Sequence, residues 1–118
     1  MDERLTKALQ FSNYMVTLNN QKRLIKEKFF EDLLYFENGC QFTVTKELIT
    51  FVSMLVETGN DSDVVLTDDN DIPTKINDLS LFLENILDVY FSAANNYHTE
   101  YESLKTKRKI ETLVDYDE

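Results

Sequence analysis

The chain has no tryptophan, one cysteine, one proline, one histidine and two glycines in 118 residues, and each scarcity excludes something. A single thiol, Cys40, forbids an intrachain disulfide and puts a multi-thiolate metal site out of reach of one chain. His98 has no second histidine or cysteine at ligand spacing, so it reads as a surface residue and not as a ligand or base. Gly39 and Gly59 do not bracket a serine, and no glycine-rich phosphate loop exists. Neither a catalytic residue nor a cofactor or metal site is expected, and an enzyme is the least favoured class. Long hydrophobic runs are missing too. The opening MDERLTKALQ is charged from its second residue, and no stretch approaches the roughly eighteen apolar residues of a membrane span. The expectation is a soluble chain that is not exported and does not enter membranes.

Cations are missing from the middle of the chain. Residues 1–56 carry 7 acidic and 7 basic groups, residues 57–102 carry 11 and 1, and residues 103–118 carry 4 and 4, so the whole net charge of -10 lies between 57 and 102, where Lys75 is the only base. Such a segment repels duplex DNA and anionic lipid and attracts basic partners.

What is present is periodicity. Hydrophobic residues make up 42% of the chain, with eight Phe and six Tyr, enough for one domain over residues 1–118 with a modest core. From Ile76 to Leu104 apolar residues return at Leu79, Leu83, Ile86, Tyr90, Ala93, Tyr97 and Leu104, in steps that line one stripe of a long helix. A similar three-four repeat runs through Ala8, Phe11, Met15, Leu18, Ile25, Phe29, Leu33 and Phe36, with Lys22 in the missing step. This predicts a first long helix ending near Asn38, with Gly39 closing it. CQFTVT at 40–45 alternates as a strand with Cys40, Phe42 and Val44 inward. Thr45 caps a short helix that buries Leu48, Ile49, Phe51, Val52, Leu55 and Val56 and ends at Gly59. Residues 64–67 and 72–76 form a hairpin around the turn DDND, and Asn77 caps the last helix. The expected fold is α+β, in the order helix, strand, helix, strand, strand, helix. Two long antiparallel helices carry the short helix and a small antiparallel sheet, of two or three strands, at one end.

Three residue sets are candidate sites. The helical stripes, with Phe11, Met15, Leu18, Ile25, Tyr90, Tyr97, Tyr101 and Leu104, suit a coiled-coil-like interface in a homo-oligomer, a dimer or larger. Asp61, Asp63, Asp68, Asp69 and Asp71 suit display to a basic partner; as calcium ligands they lack the spaced Gly and the bidentate Glu of an EF-hand. Lys22, Arg23 and Lys26, with Lys105, Lys107, Arg108 and Lys109, could touch phosphates, although the negative net charge argues against nucleic acid. Their bland alternative is intrahelical pairing of Arg23 with Glu27 and of Lys28 with Glu31 and Asp32.

The segments FSNYMVTLNNQKR at 11–23, FTVTKELITFV at 42–52 and TLVDYDE at 112–118 resemble a group of small proteins of T-even-like myophages that infect marine cyanobacteria. The likeness spans nearly the full length and carries no functional motif, so it transfers no catalytic or binding residue. It implies a phage protein of the infected bacterium's cytoplasm or of the virion, structural or assembly-related. The expected function is therefore a non-enzymatic oligomeric phage protein working through contacts with itself and with another phage or host protein. Two alternatives stand beside it: an accessory protein of phage replication, recombination or transcription that touches nucleic acid through the basic clusters, and an acidic inhibitor of a host protein.

Overall fold

The computed structural model describes the backbone of residues 2–116 and the side chains of residues 2–106. The architecture is α+β, in the order α1 (Glu3–Asp32), β1 (Leu34–Glu37), β2 (Cys40–Thr43), α2 (Lys46–Glu57), β3 (Ser62–Thr67), β4 (Pro73–Asp78) and α3 (Leu79–Tyr116). The strands form two antiparallel hairpins, β1-β2 and β3-β4. By its packing the chain divides into two compact units, residues 29–95 and residues 1–28 with 96–118.

The unit of residues 29–95 holds both hairpins and α2. The first long helix stops at Asp32 and not near Asn38, and the residues after it form a strand that the helical spacing had absorbed. Asn38 and Gly39 have φ of 53° and 75° and join Glu37 to Cys40 as a two-residue hairpin turn. That pair of left-handed residues is what a type I′ turn demands, and Asn-Gly is its preferred sequence. Gly39 therefore reverses a hairpin and does not close a helix. Gly59 does the expected job: at φ 86° it follows α2, and the Gly59 and Asn60 N–H groups bond the Val56 and Leu55 carbonyls at 3.2 and 2.8 Å, the Schellman arrangement. Thr45 caps the other end of α2 by accepting the Leu48 N–H at 3.1 Å. The cap of α3 is Asp78, whose Oδ1 accepts the Leu81 N–H at 3.1 Å, and not its neighbour Asn77.

Alternation places Cys40, Phe42 and Val44 on the inner side of the first hairpin, where all three are buried. Leu66 and Ile76 from the second hairpin, Val52 from α2, and Leu79, Phe82, Ile86 and Ala93 from α3 complete one core. Phe82 sits at its centre with no exposed surface, edge-on to Phe42 at 5.3 Å and to Tyr35 at 5.7 Å. The Tyr35 hydroxyl accepts from Asn85 Nδ2 at 3.1 Å, which satisfies its polar end. Phe51 was expected inward and instead lies on the outer side of α2, 48% exposed; Phe91 on α3 is also outside.

In the unit of residues 1–28 and 96–118 the two long helices run antiparallel. Lys28 near the end of this α1 segment pairs with Glu100 near the start of the α3 segment, at 2.6 Å. Leu18 and Leu104 are 3% and 7% exposed.

Candidate functional site

The stripe residues expected at an oligomer interface are mostly covered within the chain itself. Leu18 and Leu104 are buried, Met15, Ile25, Tyr97 and Tyr101 are half-buried in the helical unit, and Tyr90 packs against the core of the other unit. Tyr97 and Tyr101 meet edge-on at 6.4 Å. Only Phe11 stands outside, 55% exposed.

A second apolar face, which the sequence reading missed, is the one left in water. Leu5, Leu9, Val16 and Leu24 are 51%, 49%, 57% and 56% exposed. At 100° per residue Leu5, Leu9 and Val16 point within about 40° of one another and roughly 140–180° away from Leu18. Helix α1 thus carries apolar residues on two sides. The signal was present in the sequence as Leu5, Leu9 and Val16 at steps of four and seven, but the longer stripe beside it drew the helical reading.

The acidic loop is largely used by the chain. Asp68 is 6% exposed, and its Oδ1 accepts the N–H groups of Asn70 at 2.9 Å and Ile72 at 2.8 Å. It therefore organises the turn between β3 and β4. Asp69 reaches the first hairpin: Oδ1 accepts the Thr43 N–H at 3.0 Å, and Oδ2 accepts the Thr43 hydroxyl at 2.6 Å and Gln41 Nε2 at 3.1 Å. Partial burial pushes the Asp69 carboxyl up, but these three donors outweigh it and leave its pKa below the ordinary Asp value. Asp61, Asp63 and Asp71 have exposed side chains, and Asp63 and Asp71 take left-handed φ of 55° and 60°. Among the described residues no three His, Cys, Asp or Glu side chains converge as cation ligands.

Two of the candidate basic residues, Arg23 and Lys105, have acidic partners. Arg23 lies 3.8 Å from Glu27, as intrahelical pairing predicts. Lys28 pairs with Glu100 of α3 at 2.6 Å. Lys105 lies 3.3 Å from Glu102 and 5.3 Å above the Tyr101 ring. Lys22 is half-buried and Lys26 is exposed. The side chains of Lys107, Arg108 and Lys109 lie outside the described residues.

His98 is exposed beside Glu102 at 3.8 Å, and Cys40 is a buried free thiol. Glu37 has one buried carboxylate oxygen without a hydrogen-bond partner, and desolvation raises its pKa. A shallow open groove of about 500 Å³ is lined by Lys46, Glu47, Thr50, Phe51 and Met54. All five come from one helix, so it offers none of the converging polar groups of a ligand pocket. Among the described residues no helix is long and apolar enough to cross a membrane. No protein family, curated protein or solved structure matches the chain.

Proposed function

We propose that this is a non-enzymatic homo-oligomeric protein that works through protein contacts in the structure or assembly of a phage particle. The observation that carries the reading is the outward face of α1. Leu5, Leu9 and Val16, each about half in water, present roughly 260 Å² of apolar surface on one side of the helix, close to the largest apolar patch of an ordinary monomer, which is often functional. Two copies face to face would remove roughly 520 Å², about a third of a standard interface of about 1,600 Å² before polar neighbours are counted.

Charge favours the same face. Helix α1 holds 4 acidic and 6 basic residues, whereas residues 57–102 hold 11 and 1. A second copy approaching the acidic segment is repelled, and one approaching α1 is not. The phage assignment rests on the resemblance of residues 11–23, 42–52 and 112–118. The nucleic-acid and host-inhibitor readings gain nothing from the geometry, because Arg23, Lys28 and Lys105 have acidic partners and Asp68 and Asp69 serve the fold.

The test is the absolute mass in solution of the wild type and of a Leu9→Glu, Val16→Glu variant. The wild type should be a dimer or larger at high salt and the variant a monomer of 13.9 kDa with unchanged helix content. A monomeric wild type refutes the reading.

A further inference from the structure

The first hairpin has two outer edges, and one of them is occupied by a single residue. The Val44 N–H bonds the Leu33 carbonyl at 2.8 Å, so Phe42 and Val44 spend their main-chain groups on the hairpin, and parity turns those of Gln41 and Thr43 outward. At that edge the Asp69 N–H donates to the Gln41 carbonyl at 2.9 Å, and Asp69 Oδ1 accepts the Thr43 N–H at 3.0 Å. One residue bonding positions 41 and 43, on either side of 42, is the pattern of a parallel strand neighbour, with the carboxylate in place of the carbonyl. The Thr43 hydroxyl and Gln41 amide hold that carboxylate in place on Oδ2.

We infer that Asp69 is a one-residue surrogate strand that seals the β2 edge, and that its removal opens this edge to strand addition by a second copy of the chain. An open edge offers a row of unpaired donors and acceptors, and native proteins block such rows. The two strands of the second hairpin carry ordinary devices: Pro73 and Lys75 on β4, and the left-handed Asp63 in β3. Strand β2 has no charge or proline of its own between Cys40 and Thr43. The partner follows from symmetry, since Gln41 and Thr43 of one copy can exchange hydrogen bonds with Thr43 and Gln41 of another across a two-fold axis. This inference is independent of the α1 interface proposed above.

The test has a wild-type arm and a variant arm. In the wild type the Thr43 amide should exchange with solvent roughly tenfold more slowly than the Gln41 amide on the same edge; equal rates overturn the seal. In Asp69→Ala the Thr43 amide should lose that protection, and the mass should rise with protein concentration beyond the wild-type value. Adding Thr43→Lys to Asp69→Ala should return the mass to that of the wild type, because a lysine blunts the edge. An Asp69→Ala chain with wild-type mass at every concentration overturns the inference. So does one that unfolds, because a seal made by an exposed loop residue leaves the core intact.

Discussion

Replacing Phe82 by Ala removes the ring that joins three parts of the core. Phe82 is fully buried and lies edge-on to Phe42 of β2 and Tyr35 of β1. Truncation to Ala costs about 3–5 kcal/mol, the sum of lost transfer free energy and a cavity, with the two aromatic contacts inside that figure. A chain of this length is stabilised by roughly 6–18 kcal/mol. The variant should therefore fold with a large loss. With a urea m-value of about 1.5–2 kcal/mol/M, the unfolding midpoint should fall by roughly 2–3 M. Far-UV circular dichroism measures it, with tyrosine emission as a second probe because no tryptophan competes. The control is Phe51→Ala, the same substitution on the exposed side of α2, which should cost no more than about 0.5 kcal/mol. Equal losses for the two variants would refute the placement of the core.

Three further substitutions probe the joints. Gly39→Ala should destabilise by about 1–2 kcal/mol, read as a lower melting temperature; a Cβ there meets nothing within 4 Å, so the cost is the left-handed φ alone. Thr45→Ala should cost about 1 kcal/mol by uncapping α2, with Thr45→Asn close to neutral in the same thermal melt. The Asp69 carboxyl titrates below its ordinary value of 3.8 when folded, so its contribution is complete above that value and disappears as pH falls through the folded pKa. The gap in melting temperature between wild type and Asp69→Asn should thus be widest near pH 7 and close as the pH falls below that ordinary value; a gap that widens on acidification would contradict the assignment.

Much of the fold was legible because the period of the apolar residues changes where the structure changes. The stripe from Leu79 to Leu104 alternates three and four, and Leu79, Ile86, Ala93 and Leu104 are the buried residues it names. CQFTVT alternates in twos, and Cys40, Phe42 and Val44 are inward. The error at Leu34–Glu37 has a physical origin. Leu33 and Phe36 continue the helical spacing of Phe29 while Leu33 and Tyr35 begin a strand alternation, and the arbiter is the Asn38-Gly39 pair, a stronger signal for a tight hairpin than for a helix end. Asp78 displaced Asn77 as cap because both residues can cap and the boundary fell one residue later. The role of Asp69 had no local signal. Its partners Gln41 and Thr43 are 28 and 26 residues away, and only the meeting of the two hairpins reveals them.

The central claim is self-association through the outward face of α1. Light scattering on a sizing column, repeated from low to high salt, measures it most directly. The account predicts a species of at least twice 13.9 kDa that persists at 1 M salt, where surface charge is screened to about 3 Å and apolar burial is not weakened. A species of 13.9 kDa at every salt concentration would contradict it.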